Sequence, residues 1–314
     1  MDRKELKRLI QGVSVAIPTP FDEDYRVDLA RTADLTKLWV SDGLGTNTSP
    51  LKVAAAWGQG PDLAEHEWPH LLRTVVNAAG SGAVVMQALP SKDTLRTIED
   101  AKKAQDLGAI GLQIELPFHH GPNQDDYVRY FTDISDAIEI GIMVYNTFWF
   151  GCPPITPETL LRLADAEHVV AVKWGAPVGG DYDEMRRFSH IFNVIDNGGG
   201  PVRCHKNGGR GFVSAYAPAY AAPELEVWRL VEEKRYDEAD AIYSRLGEAI
   251  GPVQQRAGAR SGGYRLAKGM MEVMGRSSGP PRPPTQRLNS EELAELEAAL
   301  RSLDWPVPET AAVA

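Results

Sequence analysis

Short apolar runs alternate with amphipathic stretches along most of the chain. The starts of these runs lie about 20 to 40 residues apart, roughly the length of one strand-and-helix unit. The runs are apolar at consecutive positions rather than at every second one, which is typical of parallel strands covered on both faces. The eight runs span residues 13–17, 53–57, 83–89, 110–116, 142–145, 169–172, 192–195 and 212–216.

The amphipathic stretches carry the polar residues that commonly begin helices. Pro157 and Glu158, for example, stand where a helix start favours a proline and a negative charge. The pattern predicts helices over 28–40, 91–104, 124–137 and 156–164. Eight strand-then-helix units predict an α/β fold, the closed (β/α)8 TIM barrel, with a doubly wound sheet as the alternative.

After the eighth run the pattern becomes helical throughout. Helices are predicted over 223–250, 265–274 and 290–303, and the segment 279–284 (GPPRPP) breaks the chain between the last two. The sequence therefore predicts a barrel over 1–222, a C-terminal helical appendage over 223–304 that packs on the barrel, and a tail over 305–314.

Composition and charge narrow the possible partners. The chain has 314 residues and a formal net charge of −10, which argues against a nucleic acid or an anionic membrane surface as partner. The two cysteines, Cys152 and Cys204, have no zinc or redox spacing, and the charged N-terminus lacks an apolar signal segment. We expect a cytoplasmic protein, and the scattered histidines predict no metal site and no cofactor.

Two reactive side chains close neighbouring apolar runs. Lys173 directly follows the run 169–172, and Tyr145 ends the run 142–145. Catalytic groups in a (β/α)8 barrel lie at the C-terminal ends of the strands, so these two side chains are expected to meet. Burial lowers the pKa of a lysine and yields the neutral amine that attacks carbonyls, while a tyrosine hydroxyl relays protons. The alternatives are a salt bridge for Lys173 and core packing for Tyr145.

Several motifs occur in the order and spacing of one known family. They are Ile17-Pro18-Thr19-Pro20-Phe21, Gly108-Ala109-Ile110-Gly111, Tyr145-Asn146, Ala171-Val172-Lys173, Gly208-Gly209-Arg210-Gly211-Phe212-Val213-Ser214 and the late segment from Gly279 to Pro284. From residue 10 to residue 304 the chain resembles the dihydrodipicolinate synthase / N-acetylneuraminate lyase family of class I, Schiff-base aldolases.

The resemblance implies a fold, a chemistry and an assembly. It implies a barrel lyase that forms a Schiff base on Lys173, with Tyr145 as proton-transfer residue, and a homo-oligomer, either a dimer or a tetramer. Asn146 and Val213 lie within matched motifs and are predicted to bind substrate.

The loop after the second run departs from the family pattern. Where the family has G-T-T-G-E or G-S-T-G-E to hold the carboxylate of a 2-oxo acid, this chain has Ala55-Ala56-Trp57-Gly58-Gln59. Both hydroxyl side chains are absent, and an indole takes the place of the second. The backbone N–H groups around Trp57 and Gly58 remain as candidate donors to a carboxylate.

Further departures change the expected pocket. The family's P-Y-Y reads Pro117-Phe118-His119, so His119 is a candidate acid or base, with a solvent-facing loop histidine as the alternative. Aromatic residues at predicted loop positions favour a pocket for an apolar or aromatic substrate, with packing between loops as the alternative. These aromatic residues are Trp57, Phe118, Phe148, Trp149, Phe150 and Trp174.

The leading hypothesis is a Schiff-base lyase of the aldolase, hydratase-aldolase or dehydratase type. Its predicted substrate is a small carbonyl compound, a pyruvate-like or aryl-substituted 2-oxo acid. The predicted catalytic residues are Lys173, Tyr145 and His119, and the predicted substrate-binding residues are Trp57, Gly58, Phe118, Asn146, Trp174 and Val213. Two alternatives stay open: an enzyme of the same fold acting on a carbonyl compound that is not a 2-oxo acid, and a non-catalytic protein that binds a small molecule.

Overall fold

A closed barrel of eight strands in chain order forms the centre of the fold. A computed structural model describes residues 1–309 of the chain, and β3 to β8 pair in parallel with their neighbours. The predicted TIM barrel is confirmed and the doubly wound sheet is excluded. The strands are β1 (Gly12–Ala16), β2 (Leu51–Val53), β3 (Val85–Leu89), β4 (Gly111–Glu115), β5 (Gly141–Tyr145), β6 (Val169–Trp174), β7 (Asn193–Asp196) and β8 (Gly211–Ser214).

Helices separate most of the strands and fill the C-terminal part of the chain. No helix in residues 1–309 is both long and apolar enough to cross a membrane. The helices are α1 (Arg3–Leu9), α2 (Leu29–Ser41), α3 (Glu67–Ala79), α4 (Thr94–Asp106), α5 (Gln124–Ser135), α6 (Pro157–Arg162), α7 (Pro201–Lys206), α8 (Ala222–Glu232), α9 (Tyr236–Ser261), α10 (Tyr264–Val273) and α11 (Ser290–Ser302).

Three predicted boundaries are wrong. Helix α4 begins at Thr94 rather than at residue 91, because the Asp93 side chain caps it by accepting a hydrogen bond from the Arg96 N–H. The predicted helix 223–250 is two helices, because Lys234 between them adopts a left-handed φ of 61°. The second strand ends at Val53, because Ala54 adopts a left-handed φ of 55°. That strand therefore includes Lys52.

The chain forms two compact units. One comprises Met1–Ser14, Gly45–Lys52 and Gly80–Val213, and the other comprises Val15–Leu44, Val53–Ala79 and the chain from Ser214 onward. The predicted division has two continuous segments, a barrel of 1–222 and an appendage of 223–304, whereas each unit here combines three separate segments. The predicted division stays a prediction.

In the first unit, α1 packs its apolar face against the strands. Leu6 and Ile10 are fully buried in one cluster with Met86, Met143 and Ile195. A Cβ atom on Gly141 would lie 2.4 Å from the Cδ1 atom of Ile10, so any larger residue there would require the Ile10 side chain to shift.

In the second unit, the two motifs at opposite ends of the chain meet. The Phe21 N–H donates to the Ser278 carbonyl at 3.1 Å, and the Arg282 guanidinium lies 4.4 Å from the centre of the Phe21 ring. Gly279 has a φ of 73°, and a Cβ atom there would lie 1.9 Å from the Phe21 carbonyl oxygen. Arg282 also forms a two-point ion pair with Glu67, with both N–O distances at 2.8 Å. These motifs are therefore structural.

The beginning of the predicted tail is packed. Trp305 and Val307 are buried, and the Trp305 ring lies 5.2 Å from that of Tyr220. Residues 310–314 of the predicted tail lie outside the described residues.

Candidate active site

Three titratable side chains share one row across neighbouring strands. Glu115 on β4 is paired in register with Tyr145 on β5, and Tyr145 is paired with Lys173 on β6. Paired residues of adjacent strands point to the same face of a sheet, and neighbouring strands lie about 5 Å apart. The three side chains therefore lie side by side at the C-terminal ends of their strands, where barrel enzymes hold their catalytic groups.

The amine of Lys173 lies against the ring of Tyr145. The Nζ atom is 3.6 Å from the ring centre, and the two residues are only 5% and 7% exposed. Burial lowers the pKa of Lys173 well below its ordinary value, the nearby Lys52 lowers it further, and Glu115 opposes the shift. The structure thus brings together the predicted pair, with the lysine in the environment that yields a neutral amine.

Lys52, which the sequence analysis missed, is a second buried amine near Lys173. It lies on β2 with no solvent exposure, and its Nζ donates to the Ser14 hydroxyl at 3.2 Å. Burial lowers its pKa to about 7. Its charge acts directly on Lys173, so it belongs to the electrostatics of the site.

Glu115, also missed, supplies a buried carboxylate. Its Oε2 accepts a hydrogen bond from the Ser91 N–H at 3.2 Å, and the residue is 8% exposed. Burial raises its pKa, while the Ser91 hydrogen bond and the charge of Lys173 act in the opposite direction. Burial is the larger cause and the Glu115 charge the smaller cause of a raised pKa at Tyr145, so the Tyr145 hydroxyl stays protonated near neutral pH.

One sequence signal was available for both missed residues. A charged residue within or beside an apolar strand is costly to bury unless it is paired or used. Glu115 lies inside the predicted run 110–116, and Lys52 directly precedes the predicted run 53–57.

An aromatic cluster lies beside Tyr145. The Trp149 ring is 5.4 Å from the Tyr145 ring, and the Phe150 ring is 5.2 Å from that of Phe118. Phe148 contacts Trp149 at 4.9 Å. Trp149 and Phe150 are each 45% exposed, so the cluster presents open apolar rings next to the lysine–tyrosine pair. We call Phe118, Phe148, Trp149 and Phe150 the aromatic cluster below.

His119 lies at the surface beside the aromatic cluster. It is exposed on the loop after β4, its ring is 4.3 Å from that of Phe118, and it lines a cleft of about 310 Å³ near the start of α4. Lys173 and Tyr145 are not among the described residues that line this cleft. The catalytic role of His119 stays a prediction, and Glu115 is the titratable group that the strand register places beside Tyr145.

Two residues predicted to bind substrate make contacts within the fold, and their substrate role stays a prediction. Trp174 directly follows Lys173 on β6, and successive residues of a strand face opposite sides. The Trp174 side chain therefore points away from the face that carries Lys173. Its indole packs 5.1 Å from the Phe188 ring and donates to the Tyr182 carbonyl at 3.0 Å. Asn146 is fully buried, and its amide donates to the Gly175 carbonyl and accepts from the Ile155 N–H. Asn146 therefore fixes the loop after β5.

Val213 stays a predicted substrate-binding residue. It is half-buried on β8 and packs against the apolar cluster around Ile10 and Ile195.

Trp57 and Gly58 lie in the second unit, in a short 3-10 turn (Ala56–Gly58). The Gly58 N–H donates to the Ala55 carbonyl at 2.8 Å, and the Gly58 carbonyl accepts from the Thr19 hydroxyl at 2.5 Å. The Gly58 N–H is thus already used within the turn, contrary to the prediction that it is available to a carboxylate. The Trp57 indole is half-buried and lies close to Gly263 at the start of α10.

Within residues 1–309, no group of three or more histidine, cysteine, aspartate or glutamate side chains is placed to hold a metal ion.

Comparison with known proteins agrees with this geometry. The family model described as the dihydrodipicolinate synthetase family matches residues 9–303. The chain belongs to this family. The predicted family, fold and enzyme class, a class I aldolase-type lyase, are thereby confirmed.

Curated relatives cover almost the whole chain. A Prochlorococcus marinus protein named 4-hydroxy-tetrahydrodipicolinate synthase is 31% identical over 295 residues, which cover 92% of this chain and 93% of that protein. A Corynebacterium jeikeium protein of the same name is 29% identical over 300 residues, which cover 92% and 94%.

Solved structures show the same fold. A dihydrodipicolinate synthase from Aquifex aeolicus has a TM-score of 0.82 at 21% identity, covering 96% of this chain and 100% of that one. A structure described as PhdJ bound to a substrate intermediate has a TM-score of 0.80 at 21% identity, covering 96% of each chain.

Proposed function

We propose that this family member forms an imine between Lys173 and the ketone of a 2-oxo acid with an apolar or aromatic part, and cleaves or forms a bond next to that carbon. The observation that carries the proposal is the buried Lys173 amine 3.6 Å from the Tyr145 ring centre. A desolvated lysine beside a second cation is a recognised way of activating an amine nucleophile.

The first steps follow from the two side chains. The neutral amine attacks the ketone carbon, and the π electron pair of the carbonyl moves to oxygen. The protonated Tyr145 hydroxyl donates a proton to that oxygen, and the resulting phenolate takes one proton back from the cationic nitrogen. The restored Tyr145 hydroxyl then protonates the carbinolamine hydroxyl, which leaves as water while the nitrogen lone pair forms the protonated imine. The imine then accepts the electron pair of the adjacent bond and becomes an enamine.

The aromatic cluster supports the substrate class. Exposed rings of Trp149 and Phe150 beside Tyr145 offer stacking surface to a planar apolar group. A polyhydroxylated sugar acid needs a matching set of hydrogen-bond donors and acceptors, which these rings do not supply. Phe118 belongs to the same surface through its contact with Phe150.

A second candidate function is favoured by one observation. The turn at Trp57 lacks both hydroxyl residues that the family pattern leads us to expect, and its Gly58 N–H is bonded to Ala55. An enzyme of this chemistry acting on a ketone or aldehyde without a carboxylate is therefore the alternative substrate class. The presence of two buried amines, Lys173 and Lys52, argues against a non-catalytic binding protein, because burying an amine is costly.

A substrate panel separates these possibilities. The protein is incubated with pyruvate, with aryl-substituted 2-oxo acids, and with ketones and aldehydes that lack a carboxylate, each followed by borohydride reduction and intact-mass measurement. Adducts with the 2-oxo acids, strongest for the aryl-substituted ones, support the proposal. Adducts only with compounds that lack a carboxylate support the second candidate, and a folded protein with no adduct from any compound contradicts both. The assembly stays a separate proposal of a homo-oligomer, which sedimentation of the intact protein tests.

A further inference from the structure

Glu115 is a buried carboxylate that the imine chemistry of Lys173 and Tyr145 does not itself use. Glu115 on β4 is paired in register with Tyr145 on β5, which in turn is paired with Lys173 on β6. Keeping a carboxylate away from water is costly unless charges and hydrogen bonds compensate. In the described part of the chain its one hydrogen bond is from the Ser91 N–H to Oε2, which leaves Oε1 free to accept a proton.

The charged and titratable groups near Glu115 lie on the neighbouring strands and on α5, where burial first and then the Glu115 charge raise the pKa of Tyr130. Tyr145 adjoins Glu115 on β5, Lys173 follows on β6, and Lys52 on β2 acts on Lys173. Glu115 is therefore the only negatively charged group that the described residues place in this row.

We propose that Glu115 is the base that removes the proton from the carbon next to the imine carbon on Lys173. This inference rests on the proposed function. The C–H bond breaks, its electron pair forms the C=C bond of the enamine, and the π pair of the protonated imine moves to nitrogen. The proton goes to Oε1 of Glu115, and the same carboxyl returns it in the reverse direction.

Two observations favour Glu115 over Tyr145 for this step. Burial and the Glu115 charge raise the pKa of Tyr145, so its phenolate form is scarce near neutral pH. Burial raises the pKa of Glu115 toward neutrality, and a carboxylate of raised pKa is a stronger base than an exposed one. Tyr145 then donates the proton to oxygen during imine formation, and Glu115 removes the proton from carbon during enamine formation.

The test uses pyruvate, whose methyl protons exchange with solvent much faster when the enamine forms than through the slow uncatalysed enol. The wild type, Glu115→Gln, Glu115→Asp and the matched control Gln113→Met are compared. Gln113 is buried on the same strand two residues before Glu115. Exchange of the pyruvate methyl in D₂O is followed by NMR, and the adduct on Lys173 is measured by borohydride trapping in parallel.

The expected result separates the two steps. Glu115→Gln keeps the Lys173 adduct but slows methyl exchange by about 10²-fold or more, the usual effect of losing a general base. Glu115→Asp keeps a carboxylate with a shorter reach and retains part of the exchange, and Gln113→Met exchanges at the wild-type rate.

Each other outcome contradicts a defined part of the account. Wild-type exchange in Glu115→Gln, with the adduct intact, overturns the role of Glu115 and leaves the proposed function standing. If Glu115→Gln does not fold, a folded Glu115→Asp that exchanges at the full wild-type rate overturns it equally. A wild type that forms no pyruvate adduct contradicts the proposed 2-oxo acid chemistry, and the inference falls with it.

Discussion

The Nζ atom of Lys173 lies 3.6 Å from the centre of the Tyr145 ring, on strands paired so that the two residues are directly opposite each other. The amine lies over the ring, and both residues are buried. In the proposed mechanism, this contact places a proton-donating residue beside a lysine whose pKa is lowered by burial.

Replacing Lys52 by methionine should make imine formation more sensitive to acid. Lys52 lowers the pKa of Lys173, so its removal raises that pKa and reduces the neutral amine at a given acidic pH. The pKa of Lys52 is lowered to about 7, so Lys52 is charged mainly below pH 7. The difference in trapping rate between Lys52→Met and the wild type should therefore be greatest below pH 7 and disappear above it. A one-unit rise in the Lys173 pKa lowers the acid-side trapping rate about tenfold.

The measurement is the initial rate of borohydride trapping between pH 5 and 9. Lys268→Met is the matched control, because Lys268 is also a buried lysine with a pKa near 7 but lies in the second unit. Identical acid limbs for Lys52→Met and the wild type would show that Lys52 does not act on Lys173.

Tyr145→Phe removes the hydroxyl and keeps the ring over the amine. We expect trapping of pyruvate to slow by about 10²-fold, because the carbinolamine oxygen loses its proton donor. The acid limb of the trapping profile should stay in place, since the ring still shields Lys173. A variant that traps pyruvate at the wild-type rate would remove Tyr145 from the mechanism.

Arg282 should contribute to stability without contributing to chemistry. It forms a two-point ion pair with the largely buried Glu67, donates to the Tyr25 and Asp62 carbonyls, and stacks on Phe21. Breaking a buried pair on one side costs about 3–5 kcal/mol, and we expect Arg282→Ala to approach the lower figure because the pair is partly exposed. Urea denaturation measures this loss.

Arg282→Lys is the informative companion variant. Lysine keeps the charge but cannot form two parallel hydrogen bonds to one carboxylate, so an intermediate loss of stability is expected. Equal stability of Arg282→Lys and the wild type would mean that charge alone accounts for the contribution.

The barrel and the lysine–tyrosine pair could be predicted because they depend on simple regularities. Continuous apolar runs predict buried parallel strands, and the C-terminal ends of such strands meet at one edge. Lys173 and Tyr145 end neighbouring runs, so their proximity followed from topology alone. Motif order then extended the prediction to the family.

The missed and mistaken residues have physical reasons. The second strand was predicted too late in the chain because residues 54–57 are apolar like a strand. The left-handed φ of Ala54, which ends the strand, cannot be recognised from hydropathy. Lys52 was thereby left outside the strand. Trp174 was placed in the pocket although strand alternation turns it away from Lys173. His119 was chosen by its motif position, and nothing in the sequence signals the cleft that its loop lines.

The most direct test of the central claim is to locate the reduced adduct in the chain. Wild-type protein and Lys173→Ala are incubated with pyruvate, reduced with borohydride, digested, and analysed by peptide mass. The account predicts one pyruvate-sized adduct on the peptide containing Lys173, none on the peptides containing Lys52 or Lys268, and none anywhere in folded Lys173→Ala. An adduct on another lysine, or one that persists in Lys173→Ala, would contradict the assignment of Lys173 as the nucleophile.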